Sequence, residues 1–467
     1  MPLDVPPVPY DINQIPGPQD PAEAERWTHT RRRRSLLYSQ HRTILQRAIE
    51  EHVGPTRARI WGAPDLSANP YLSLWEQVAR MYAVPPEVAG MGATVAAASA
   101  AGLWQLQQRT QRDTLGLREM YVGVEVVGGA PVYTPMFPDM LECRASAADP
   151  SQPVFVRHTR WEPGIGWIRV TWSIEGEPYY TAEKVHTGPT RPEHDVSEEV
   201  LGGAFRGEAY PFRTADGEPI IPGAMYHAAE CATLWDPYAG QEIVEGSLYL
   251  GVFYTYFGHV VRTCAWAQRY ASGVDVDGAE ARTSDGNTDA ALEVIPDPAT
   301  VLMLRTTEDA AGQPVIGQWA PPVAPDVLIG AIRSYEERLV EAAGLRTDVT
   351  RQSSDIRSGY SLAVARDAIR EAQRVYEPIF ARSDERLLQV TAHLLGQPVE
   401  PVRITYQGLP VSPQERRALI DEVERLQSAR LISRVEAWQR LHPGASEAEA
   451  RTALAVIDAE GRQEATA

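Results

Sequence analysis

The sequence predicts an α+β protein, and three observations carry that prediction. Between residues 119 and 222, apolar and polar residues alternate with the period of two that a half-buried strand requires. On either side of that region, apolar residues recur at helical spacing over long stretches. Near the C-terminus, Ser412, Ser433 and Ser446 each stand three residues before a glutamate, the sign of a capped helix start.

Taken in chain order, residues 1–22 hold many prolines and are expected to form an extended arm. Helical spacing runs from Pro21 to about His52, with Trp27, Leu36, Leu37, Ile44, Leu45 and Ile49 on one stripe. Arg31–Arg34 fall inside it. Such a run reads first as a solvated helix face, and second as contact with an acidic neighbour or nucleic-acid phosphate. Residues 53–118 read as mainly helical, and the small residues Ala93–Ala101 permit close helix packing. Met120–Val127 then reads as a strand ending at the turn Gly128-Gly129. Val154–His158 and Trp167–Ile174 are further strands, and Glu175-Gly176-Glu177-Pro178 closes the hairpin that follows. Tyr210–Pro222 reads as a strand, an Asp216-Gly217 turn and a Pro219-Ile220-Ile221-Pro222 exit.

A helix of about 30 residues is expected from near Gly240 to Ser272, ending at Gly273 in a polar insert over 273–300. Its centre, Ser247–Trp266, carries Tyr249, Phe253, Tyr254, Tyr256, Phe257 and Trp266 nearly all round. A helix apolar on every side must be buried on every side. His259 and Arg262 interrupt it, so burial against protein is expected rather than a membrane span. Short strands over 300–318 precede a returning helix that starts at Pro325-Asp326 and stops at a C-cap, Gly344. Thr347–Ser358 is polar and has no apolar stripe. From Ser361 to Leu395 the stripe returns as one long helix, which Pro378 should kink. Three capped helices end the chain.

Chemistry is searched for and largely not found. The chain carries a net charge of −18, which disfavours a bulk nucleic-acid clamp. One lysine, Lys184, stands among 44 basic residues, a bias that GC-rich coding favours. It leaves no Gly-Lys-Ser/Thr for a phosphate-binding loop. Three separated cysteines argue against a disulfide framework or structural zinc and suit a reducing compartment. No signal peptide is apparent at the first residues. HExxH, GxSxG and GxGxxG are absent. Asp285-Gly286-Asn287-Thr288-Asp289 resembles a calcium loop but lacks the later Gly and Glu, so a polar turn fits better. His158, His186 and His194 leave open a soluble enzyme without a recognisable motif. The expectation is a non-enzyme with no cofactor and no metal.

The order of these elements, with the residues that carry it, resembles the tailed-bacteriophage portal (head-to-tail connector) family. Gly217-Glu218-Pro219-Ile220-Ile221-Pro222 is similar to the Pro-x-x-Pro run ahead of that family's first stem helix. Ser358-Gly359-Tyr360-Ser361-Leu362 is similar to its Ser-Gly-x-Ala-Leu segment, with Ser361 in place of the commoner Ala. Arg430-Leu431-Ile432-Ser433-Arg434-Val435-Glu436-Ala437 resembles the Ile-Ser-x-x-x-Ala start of its helical tail. Nothing in 1–118 carries the match beyond a helical texture.

The resemblance implies a portal-like architecture. After the arm (1–22) come a helical part of the wing (23–118) and the β-rich wing (119–235). A first stem helix (236–272), a clip (273–322) and a second stem helix (323–345) follow. A tunnel loop, kinked long helix and return to the wing (346–410) lead to a helical crown (411–467). It implies a ring of about twelve copies at one capsid vertex, assembled in the host cytoplasm, with double-stranded DNA passing through the axis. Its other implied partners are the terminase packaging motor, a head–tail adaptor, and major capsid or scaffolding protein, with no membrane. Arg346, Asp348, Arg351, Gln352, Asp355 and Arg357 would form the tunnel loop. Its arginines would either touch the DNA backbone transiently or pair with Asp348 and Asp355. Asp285, Asn287, Asp289 and Arg305 would meet partners at the clip. Tyr249, Phe253, Tyr256, Phe257 and Trp266 would pack between subunits. A different oligomeric virion or scaffold protein, without a DNA channel, is the alternative.

Overall fold

In the computed structural model the chain is an α+β protein, described over residues 15–67, 69–147, 149, 152–185, 194–201, 210–265, 268–272, 301–304, 315–319, 325–343, 359–407, 413–442 and 446–464. It opens with four helices, α1 (Ala24–Leu37), α2 (Arg42–Val53), α3 (Pro55–Trp61) and α4 (Pro70–Val78). The single helix predicted over 21–52 is therefore two. Neither Gly nor Pro marks the break. Ser39 takes a positive φ of 55°, and Asn69 Nδ2 donates to the Leu36 carbonyl at 2.6 Å. That bond satisfies a helix-end acceptor from outside the helix, which a local reading cannot anticipate. A short strand β1 (Glu87–Ala89) leads to α5 (Gly92–Ala100) and α6 (Leu103–Leu117).

The β region follows as predicted and extends further. β2 (Glu119–Val127) pairs antiparallel with β3 (Ala130–Met136) across the Gly128-Gly129 turn. β4 (Leu141–Ala145), β5 (Pro153–Glu162), β6 (Gly166–Ser173), β7 (Tyr179–Lys184) and β8 (His194–Asp195) form an antiparallel meander, followed by α7 (Ser197–Leu201). After the turn at Gly217, β9 (Gly223–His227) returns to the other side of β2. The sheet β3-β2-β9 is buried on both faces. Met120, Val122 and Val124 of β2 pack into the helical core, whereas Tyr121 joins the core beneath the five-stranded sheet. Ala224 and Tyr226 of β9 divide from Met225 in the same way. Strand alternation thus serves two cores at once. The predicted extended arm is seen from Ile15, which is buried against Met140, Trp167 and Val185 of the wing.

α8 (Gln241–Ala265) stops earlier than predicted. Gln268–Ser272, expected as its last turns, is a strand, β10, at the centre of a three-stranded sheet. It pairs parallel with β11 (Val301–Leu304) and antiparallel with β12 (Val315–Trp319). Two neighbouring strands offer that backbone ladder bonds that replace helical ones, and they come from far along the chain. The strands expected in 300–318 are those two neighbours. α9 (Pro325–Ala342) returns antiparallel to α8, with Leu339 seated against Gly246.

Then α10 (Gly359–Leu394) runs through Pro378 as one helix. β13 (Arg403–Thr405) pairs antiparallel with β1, closing the chain onto its N-terminal helices. α11 (Pro413–Ser428), α12 (Arg434–Leu441) and α13 (Glu447–Glu464) are the three predicted terminal helices. The capping boxes at Ser433 and Ser446 are formed, with the serine hydroxyl accepting from the third residue's amide and the glutamate accepting in return. Ser412 lies outside the described residues. Segments predicted as separate parts share one core: Trp75, Leu115, Val122, Tyr226, Leu248 and Phe380 belong to a single buried cluster.

Candidate functional site

The helical hairpin α8–α9 carries four of the residues expected at subunit contacts. Tyr249 and Phe253 of α8 lie against Tyr335 of α9, with ring centroids 6.3 and 5.7 Å apart. Tyr254 donates a hydrogen bond to Glu336. Tyr256 packs on Trp61 of α3 at 4.9 Å, and Phe257 is half-buried at the edge of the helical core. Gly251 admits Leu45 of α2. The burial that an all-round apolar helix needs therefore comes in large part from its own chain. Among the described residues of the hairpin, Tyr249 (43 % exposed), Val261 and, on α9, Val327 remain exposed. Trp266 lies outside the described residues. So do the clip residues Asp285, Asn287, Asp289 and Arg305 and the whole tunnel-loop set, Arg346, Asp348, Arg351, Gln352, Asp355 and Arg357.

Arg31–Arg34 overturn the first reading of that run as a solvated face. Each arginine reaches a different part of the chain. Arg31 Nη2 donates to the carbonyls of Ile15 and Pro16 in the arm at 3.1 and 2.9 Å. Arg32 holds Glu245 of α8 through both guanidinium nitrogens at 2.5 and 3.0 Å. Arg33 Nη2 donates to the Ala239 carbonyl just before α8 at 2.7 Å. Arg34, 1 % exposed, gives Nη1 to both oxygens of fully buried Asp139 at 2.9 and 3.0 Å and lies over the Phe137 ring. Two turns before Arg34, Arg26 Nη1 and Nη2 donate to the carbonyls of Pro138 and Leu141. α1 is a rivet between the segment at Ile15-Pro16, the residues around Asp139 ahead of β4, and the start of α8. The second reading, an acidic neighbour, holds for Arg32 and Arg34, and the neighbour is internal.

Glu119 lies under this cluster, at the start of β2, and accepts from the Asp236 amide at 2.7 Å. Burial pushes its carboxyl up to about 7, outweighing Arg118, Arg33 and Arg26. A raised carboxylate contributes stability below its unfolded value and loses that contribution as pH rises through its folded one. Glu119→Gln should therefore gain on the native protein by up to about 3 kcal/mol between pH ~5 and pH ~8. Urea midpoints of both proteins at the two pH values measure this, and a constant gap would contradict it.

A second buried centre escaped the sequence reading. Asp384 of α10 accepts from Tyr82, Tyr226, Tyr406 and Gln107, four donors from four separate segments. Nothing in the local pattern distinguishes Asp384 from a solvated helix position. Its neighbours Phe380, Leu387 and Leu388, one turn either side, are the signal that places it on the buried face.

Of the histidines considered for an active site, His158 is buried on β5, where burial lowers it to about 3 and keeps it neutral. His186 lies outside the described residues and His194 is on β8. Among the described residues no group of three or more His, Cys, Asp or Glu is placed to hold a metal ion, and no helix is long and apolar enough to cross a membrane. No protein-family model matches the chain, and no curated protein matches its sequence.

Proposed function

We propose that the chain is the subunit of a portal ring, the conduit through which double-stranded DNA enters and leaves a tailed-phage capsid. The observation that carries this reading is the α8–α9 hairpin with a small three-stranded sheet, β11-β10-β12, between its two helices in chain order, the order a stem and its tip would have. The β-rich wing precedes it and the capped helical tail follows α10, in the order that the resemblance implies. The exposed apolar side chains of the hairpin, Tyr249, Val261 and Val327, support assembly, since a closed ring sets a neighbour on both sides of every subunit. A net charge of −18 supports passage of DNA rather than capture, because each neutralised phosphate adds affinity and would slow sliding.

In this role the tip sheet and its insert are the platform for the packaging motor and head–tail adaptor, through Asp285, Asn287, Asp289 and Arg305. Residues 346–358 border the channel. Negative-stain imaging and native mass of the purified chain test the assembly, with closed rings of about twelve copies around an open axis expected. A persistent monomer or dimer in phage-infected cells would overturn the reading. Deleting 347–357 should leave rings intact and sharply lower the fraction of DNA-filled heads. Loss of ring assembly in that deletion would contradict the placement of the loop.

A further inference from the structure

Asp384 is 1 % exposed, and no arginine or histidine among the described residues acts on its carboxylate. Its compensation comes from neutral donors. Tyr82 and Tyr406 donate to Oδ2 at 2.6 and 2.7 Å, while Tyr226 and Gln107 donate to Oδ1 at 2.7 and 3.1 Å. A carboxylate has about four lone-pair sites, so these four donors saturate it. The donors come from the turn after α4, from the segment just past β13, from β9 and from α6. The centre thus ties α10 to α6, β9, the turn after α4 and the segment past β13.

A saturated carboxylate cannot take up a proton without one donor turning round to become an acceptor. Tyr226 already accepts from Gln107 at 2.5 Å, and Tyr82 is enclosed beside it. Gln107 Oε1 is buried without a partner and would serve only if the amide turned over. That rotation strands the NH2 group which now supplies both Oδ1 and Tyr226, so it loses more bonds than it makes. Tyr406 is the one half-buried tyrosine of the three, at the edge of the centre. Its hydroxyl can accept from a protonated Oδ2 and direct its own hydrogen outward.

We propose that this centre is a proton-operated latch, in which one proton on Asp384 reverses the Tyr406 hydrogen bond and loosens the β13 segment that leads from α10 to the C-terminal helices. β13 is short, and Ile404 and Tyr406 pack at the edge of the helical core. The strand pairs over three residues with β1, and Gln407 beyond it donates to Glu87 at 2.6 Å. The other charged groups facing the latch are Glu377 of α10, which acts on Tyr406, and Glu87 of β1. Burial raises Asp384 to about 6 while the Tyr406 bond lowers it. Losing that bond with the carboxyl still enclosed by Tyr82, Tyr226 and Gln107 raises it further, so a proton favours the loosened form in a mildly acidic range. The inference concerns contacts within one chain and does not depend on the ring.

Hydrogen exchange of the full-length chain tests it, read on the amides of 403–407 and corrected for intrinsic rates. Between about pH 7.5 and about pH 5, protection there should fall roughly tenfold, with a midpoint near 6, while the β5–β6 hairpin stays constant. Asp384→Asn should abolish the step and Glu377→Gln should keep it. Tyr406→Phe, which retains the ring and loses the hydroxyl, should show low protection at both pH values. Should Asp384→Asn not fold, Tyr406→Phe decides alone: a step retained in it overturns the latch, as does a native protein whose protection ignores pH or a step that survives in Asp384→Asn.

Discussion

Replacing Arg34 with alanine should lower the stability of the chain by about 3–5 kcal/mol, because it leaves Asp139 as a buried charge without the guanidinium nitrogen that both its oxygens share. Arg31, whose Nε is 4.0 Å from Asp139, is too distant to replace those bonds. Asp139→Ala should cost a similar amount, since Arg34 then keeps a buried guanidinium over Phe137 with no anion. Replacing both residues together by Met and Leu should cost far less than the sum of the two single changes. Urea unfolding of the four proteins completes the cycle. Simple additivity would show that the pair is not coupled and that α1 is held by other contacts.

A single methyl group at Gly223 should be almost as damaging. Gly223 opens β9, where a Cβ would run into the Val122 carbonyl and the hydroxyl end of Tyr121. Both neighbours are fully buried in the sheet that separates the two cores. The carbonyl cannot move without breaking β2–β9 pairing, so Gly223→Ala should cost about 3 kcal/mol, the upper part of the range for overpacking. Gly92→Ala is the matched control. Nothing lies within 4 Å of a Cβ there and the residue is in the first turn of α5. It should be neutral or stabilising by up to about 1 kcal/mol. Thermal unfolding separates the two outcomes, and equal melting temperatures for the Gly223 and Gly92 variants would refute the close approach.

These two sites show where the sequence was legible and where it was not. The Gly128-Gly129 turn, the Glu175–Pro178 turn and the Ser433 and Ser446 boxes were readable because their partners lie within a few residues. The arginine run was misread for the opposite reason. Arg33 and Arg34 stand one turn before Leu36 and Leu37 and two turns after Trp27, on the apolar face. Their type suggested solvent, while their position indicated burial. Their acceptors, Asp139 and the Ala239 carbonyl, are more than a hundred residues away, so nothing near them identified the partner. An even greater separation hid the β1–β13 pair, and the strand at Gln268–Ser272 was hidden because both its partner strands lie well beyond a local window.

The candidate functional parts divide along the same line. The hairpin helices and the long helix after them were visible as periodicity. Periodicity reports which face of a segment avoids water, and the amino-acid order alone carries that. It does not report what covers that face. Only the tertiary structure decided that α2, α3 and α9 cover much of α8, that α1 neutralises its arginines inside the fold, and that Asp384 collects four donors. The physical reason is common to all three: burial and charge compensation are sums over atoms close in space, and those atoms come from segments the chain itself holds far apart.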